Sequence, residues 1–232
     1  MRNPLFPILV SAAMLASCAE QYVVSGTSNV EGLEGKTLYL KVFAGDDMRS
    51  IDSSRVTHGK FNFNGVMDSV MMANVFVDNT SVMPLVLEKG VVSLTIGENS
   101  QSATGTPLND TLTRFIQKKT QLEAQMTELP HLESQMIMDG ISYDQANALL
   151  DEKARMLSEE NDRLVSRFFS SNYNNVLGPG VFMIMTSALK YPILTPKIEA
   201  VISQAPPSFL NHPYVREYIK AAESNMEKMR NY

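Results

Sequence analysis

Gly59-Lys60-Phe61-Asn62-Phe63-Asn64-Gly65 alternates strictly: Phe61 and Phe63 fall on one face, and Lys60, Asn62 and Asn64 on the other, between two glycines. A period of two marks a half-buried strand, because successive side chains leave a pleated backbone on opposite faces. The same reading extends outward. Leu38, Leu40 and Val42 form one apolar face, Val92, Leu94 and Ile96 another, and further strands are predicted over 22–27, 50–56, 70–77 and 82–88. Turn residues separate them at 32–35, Gly45-Asp46-Asp47, His58-Gly59, Asp78-Asn79 and Lys89-Gly90. Seven or eight short strands at this spacing predict an antiparallel β-sandwich or barrel-like domain over 26–105, its first strand beginning within 18–25.

The period changes at Thr106-Pro107, where a threonine that can cap precedes a proline suited to the first helical position. Leu108, Leu112, Phe115, Leu122, Met126 and Leu129 then recur at helical spacing up to Pro130, which is expected to end the helix. Ser142 and Gln145 form a capping box for a long helix over 143–169, with Asp151–Arg155 and Glu159–Arg163 as i,i+4 pairs on its wet side. The stripes are narrow and predict an antiparallel helical hairpin over 107–170. After a break at Leu177-Gly178-Pro179-Gly180, three short helices are expected within 181–229, so 106–232 is all-helical and the fold class is α+β.

The 232 residues carry 20 basic and 25 acidic side chains, a net charge of -5. Neither half is polarised: 18–105 holds 6 basic and 10 acidic residues, 106–232 holds 13 and 15, and a nucleic-acid footprint is not expected. One cysteine excludes an intrachain disulfide framework, a Cys-x-x-Cys redox pair and a cysteine-rich zinc site. That cysteine closes a leader: Arg2, an apolar run from Leu5 to Leu15, then Ala16-Ser17-Cys18. Leu15-Ala16-Ser17-Cys18 resembles the lipobox of bacterial lipoproteins. The resemblance implies a signal peptide over 1–17, diacylglycerol on the Cys18 thiol, and a membrane anchor made of acyl chains rather than a spanning helix. The residues after Cys18 lack an aspartate retention signal, so the expected location is the cell envelope, on the outer membrane facing the periplasm.

The order of landmarks is similar to that of an uncharacterised domain in lipoproteins of Gram-negative anaerobes. The landmarks are Tyr22-x-x-x-Gly26, Gly35-Lys36-Thr37-Leu38-Tyr39-Leu40, Ile51-Asp52-Ser53, Gly59-Lys60-Phe61-x-Phe63-x-Gly65, Leu87-Glu88-x-Gly90 and Gly105-Thr106-Pro107-Leu108-Asn109. Val176-Leu177-Gly178 and Asn211-His212-Pro213-Tyr214-Val215 resemble the helical linker of the same proteins, so the resemblance spans 20–225. In those relatives a thioredoxin-like disulfide reductase domain follows. This chain has no tryptophan and no cysteine besides Cys18, which leaves it without the thiols that exchange needs.

Chemistry-bearing residues are sparse. His58, His131 and His212 stand apart in sequence, and surface or capping roles are expected before metal ligation. Asp46-Asp47 reads as a turn, Glu159-Glu160 as the wet face of a helix, and no nucleophile-elbow pattern is present. The 15 methionines include Met71-Met72, Met136-x-Met138 and Met183-x-Met185. Met183 and Met185 read as core, while the hairpin around Met126, Met136 and Met138 is the expected exposed apolar contact. No catalytic residue, cofactor or metal is assigned. The expected function is non-enzymatic: a membrane-anchored interaction or scaffold module with a protein partner, one version being an accessory to a thioredoxin-like envelope protein. The alternative is a carrier or sensor for a small apolar or glycan ligand, held in a pocket lined by Phe61, Phe63, Leu94 or Ile96, or at the junction with the helices.

Overall fold

The computed structural model describes residues 20–44 and 47–230. The leader and Cys18 lie outside the described residues. Eight strands come first: β1 (Glu20–Ser28), β2 (Thr37–Ala44), β3 (Asp47–Arg55), β4 (Lys60–Met67), β5 (Met71–Val77), β6 (Thr80–Leu87), β7 (Gly90–Ile96) and β8 (Gln101–Thr104). They form two four-stranded sheets, ordered β4-β1-β7-β8 and β3-β2-β5-β6. The alternation read from the sequence sets the inner faces: Phe61, Phe63, Leu38, Leu40, Val92, Leu94 and Ile96 are all buried in one core between the sheets. The pairing of β1 with β7 is parallel, with Val24 beside Val92, whereas the other pairings among the described residues are antiparallel. Turn signals predict hairpins between sequence neighbours; they carry no information about two strands 68 positions apart in register.

Six helices follow: α1 (Pro107–Met138), α2 (Tyr143–Asn172), α3 (Leu177–Ser187), α4 (Pro196–Ser203), α5 (Pro207–Leu210) and α6 (Pro213–Arg230). The α+β class is as expected, with four differences in the helical half. First, Pro130 does not end α1, which continues eight residues beyond it to Met138. Pro130 is exposed, so water can reach the Met126 carbonyl left without its N–H donor. Second, the Leu177-Gly178-Pro179-Gly180 run opens α3 rather than breaking the chain. Its glycines are there for close packing: a Cβ on Gly180 would overlap the Met72 side chain, and one on Gly178 would meet the Asn172 carbonyl. Third, four helices rather than three follow residue 176, because the short α5 forms between α4 and α6. Fourth, Arg155 pairs with Glu152 and Glu159 instead of Asp151, while Glu159–Arg163 forms as expected at 3.5 Å.

A second core lies among the helices and against the outer face of the second sheet, joining Val86 to Phe115, Phe169, Phe182 and Phe209. Phe182 and Phe209 meet edge to face with centroids 5.6 Å apart, a geometry that suits the ring quadrupoles. The α1–α2 hairpin is about 48 Å long from its residue count. Beyond Leu122 no α1 side chain is buried, so the far part of the hairpin stands outside both cores.

Candidate functional site

Where the sandwich meets α1, the sequence solves a specific problem. β6 and β8 are edge strands, one in each sheet, and an edge exposes unpaired N–H and C=O groups. Side chains of α1 pair with them. Asn109 accepts from the Val86 N–H through Oδ1 and donates through Nδ2 to the Val86 carbonyl, both at 2.8 Å. Thr113 accepts from the Ala103 N–H at 3.0 Å and donates to the Ala103 carbonyl at 2.6 Å. Thr106 was expected to cap α1 with its hydroxyl; instead Glu88 at the end of β6 accepts from the Leu108 and Asn109 N–H groups. A carboxylate at a helix N-terminus satisfies two orphan donors and opposes the dipole. Thr106 Oγ1 takes a hydrogen bond from Asn109 Nδ2. Asn109, Thr113, Thr106 and the Glu88 carboxylate are all hydrogen-bonded within this cluster, which joins the helix to both sheets.

Phe61, Phe63, Leu94 and Ile96 are buried in the sandwich core, each at most 4% exposed. Two cavities lie beside the helices. One of about 450 Å³ opens between the outer face of the second sheet and α3, lined among others by Phe43, Met72, Met183 and His212. Another, of about 840 Å³, lies between the base of the hairpin, α3 and α4, and is lined by Ile116, Asn161, Ile184 and Leu189 among others. Burial holds the His212 imidazole below its usual pKa, and its Nδ1 has no hydrogen-bond partner.

The three histidines stay apart. His58 sits exposed in a turn at φ 50, its N–H bonded to Glu34 Oε1; His131 is exposed on α1; His212 is half-buried ahead of α6. No group of three or more His, Cys, Asp or Glu among the described residues is placed to hold a metal ion. Asp46 of the Asp46-Asp47 pair lies outside the described residues. Glu160 is bound to Lys118 of α1 at 2.8 Å, a link across the hairpin, whereas Glu159 pairs with Arg155 and Arg163 of its own helix. No helix among the described residues is long and apolar enough to cross a membrane.

The methionines divide. Met183 is buried, and Met71 packs against the sandwich core and Met72 against the helical one, whereas Met126 and Met138 are exposed, Met138 by 86%. Met136, expected to share that exposure, is half-buried. Ile137, Tyr143, Leu149 and Met156 are exposed on the same arm. Residues 120–158, which make up the arm, carry seven acidic side chains against only Lys153 and Arg155. That excess equals the formal net charge of the whole chain, -5, so the rest of the protein is balanced. Comparing halves of the sequence hides this, because Lys118, Lys119 and the basic residues of α4 and α6 offset the arm.

These observations define a β-sandwich whose open side is closed by the first turns of a helix. Residues 22–112 match the model of a family described as a domain of unknown function (DUF4369). The match bears out the resemblance to an uncharacterised domain, over a shorter span than 20–225. It ends two turns inside α1, so it takes in Asn109, the residue that docks helix to sheet. No curated protein matches the chain, and no solved structure does. The landmark residues have structural duties: a Cβ on Gly26 would overlap the Phe61 ring, one on Gly65 would meet the Tyr22 hydroxyl, and Gly105 holds φ at 97°.

Proposed function

We propose that this protein is a lipid-anchored lipoprotein of the cell envelope, attached through acyl chains on Cys18, facing the periplasm from the outer membrane. It carries out no reaction and acts as a protein-interaction module whose binding element is the distal part of the α1–α2 hairpin. The observation that carries this reading is the arm itself. It presents Met126, Met138, Tyr143, Leu149 and Met156 to solvent beside a concentrated negative charge. Exposed apolar side chains along an element outside both cores suit an interaction surface, and the acidic residues among them favour a partner with a basic contact face. A separately encoded thioredoxin-like envelope protein is the partner class that the domain resemblance favours.

Two experiments test the two parts. Mass analysis of the processed protein is expected to find an acylated N-terminal cysteine, and Cys18→Ser is expected to release the chain from membranes; an unmodified Cys18 overturns the anchor. Crosslinking mass spectrometry on intact envelopes is expected to join residues of 120–158 to a second protein. Crosslinks confined to the sandwich would overturn the arm's role.

A further inference from the structure

The outward residues of the first sheet change character along its strands. On β1 they are Gln21, Val23, Ser25 and Thr27; on β4, read in the opposite direction, Val66, Asn64, Asn62 and Lys60; on β7, Val91, Ser93 and Thr95. Val23, Val66 and Val91 are 41%, 61% and 55% exposed. The register groups them: Val91 stands beside Val23, and Val66, opposite Gln21, lies diagonal to Val23 on the same face. They make one apolar patch at the end of the sheet where β1 begins, and the rest of these three rows is hydroxyl, amide and one lysine. An apolar side chain at an outward strand position implies a cover, yet the helical core packs on the second sheet instead.

Glu20, the first residue of β1, is two positions from Cys18. At no more than about 3.6 Å per residue, Cys18 lies within about 11 Å of Gln21, and one strand spacing of about 5 Å further reaches Val66. With acyl chains on Cys18, a bilayer lies within that reach; the inference rests on the anchor proposed above. We propose that the Val23, Val66 and Val91 patch seats on the lipid headgroup boundary, so that the sandwich leans on the membrane with its first sheet. The size of the patch favours lipid over a protein. Three half-exposed valines offer on the order of 200 Å² of apolar surface, against about 800 Å² per partner in a stable protein interface. So small an area is useful only toward a surface already held beside it, and the anchor holds the bilayer there at high effective concentration. The strand ends at this patch carry Glu20, Asp68 and Lys89, one net negative charge, so the contact is apolar and does not draw on anionic headgroups. Seated in this way, the protein keeps its second sheet and helical core on the side away from the lipid.

The chain has no tryptophan and one cysteine, so single tryptophans can report contact with lipid while Cys18 carries a chemical tether. The test couples the chain from residue 18 onward through the Cys18 thiol to a maleimide-bearing phospholipid in phosphatidylcholine vesicles. Quenching is then measured with phosphatidylcholine brominated near the top of its acyl chains. Val66→Trp and Val91→Trp are each expected to lose about half of their emission, and Thr95→Trp, farther along the same face, and Tyr39→Trp, on the second sheet, less than about a tenth. Adding Val23→Ser and Val91→Ser to the Val66→Trp chain is expected to cut the quenching about twofold or more. Circular dichroism checks each fold, and Val23→Trp replaces either reporter that unfolds. Absence of quenching at Val66→Trp and Val91→Trp, equal quenching at Tyr39→Trp, or no effect of the added serines overturns the proposal, the first outcome leaving the patch to a protein. Because the tether is chemical, such a failure leaves acylation of Cys18 untouched, and mass analysis of the processed protein tests that separately.

Discussion

Asn109 is fully buried, and its side-chain amide closes the edge of β6 by pairing with both backbone groups of Val86. Removing it leaves a buried N–H and C=O without partners, which costs about 1–3 kcal/mol per group. Asn109→Ala is therefore expected to lower stability by at least that range in urea denaturation, while Thr111→Ala, half-buried on the same helix and bonded only within it, changes it little. Gly180 has a different constraint, since any Cβ would displace Met72. Gly180→Leu is expected to cost about 1–3 kcal/mol by overpacking, read as a lower Tm. His212 supplies a pH dependence. Its pKa lies below the ordinary 6.5 because burial disfavours the imidazolium, so below that pH the unfolded chain binds more protons than the folded one. Stability is thus complete above about 6.5 and falls as the pH drops toward the folded-state value. Tm measured from pH 7 to 5.5 is expected to fall more steeply in the native chain than in His212→Gln.

The elements show which parts of the fold local pattern determines. β4 is legible from seven residues because its two faces meet different solvents, and α2 begins where Ser142 and Gln145 say it does, with the Ser142 hydroxyl accepting from the Gln145 N–H at 3.4 Å. β8 is not legible: Gln101-Ser102-Ala103-Thr104 is short, and Ala103 is its one buried apolar residue. Its existence depends on pairing with β7 and on Thr113, both distant in sequence. The Glu88 cap is hidden for the same reason, since nothing near Thr106 marks a carboxylate 18 positions earlier. Pro130 misleads because a proline is costly inside a helix, yet the cost is tolerable where water replaces the lost donor. Pro130→Ala is expected to slow hydrogen exchange across 126–134 while leaving exchange in the sandwich strands unchanged. On the arm, Met138→Ser with Leu149→Ser removes exposed side chains outside both cores, so Tm should shift by less than about 0.5 kcal/mol equivalent while partner crosslinks are lost.

Among the described residues the two halves are joined by α1 on the β6 and β8 edges, by Val86 and Val70 in the helical core, and by α3 against Met72. None of the joining contacts has a local signature, although Val86 and Met72 occupy outward positions of their strands, where an apolar side chain implies a cover. The candidate sites follow the same rule. The arm was legible as a narrow hairpin with exposed methionines, but its charge is visible only once the fold separates it from the basic residues near its base. The 450 Å³ cavity was not legible, because its walls come from β2, β5 and α3 together. The joint ties the sandwich to the helices, and the arm extends beyond both cores.

The protein partner is proposed to meet the projecting arm and not the sandwich. A photo-crosslinking amino acid placed in the full chain at Met138 or Leu149, and separately at Val23 or Val66 on the exposed face of the first sheet, tests it in intact cells. A discrete adduct with one protein is expected from the two arm positions and none from the two sheet positions. An adduct from Val23 or Val66 with none from Met138 and Leu149 would contradict it.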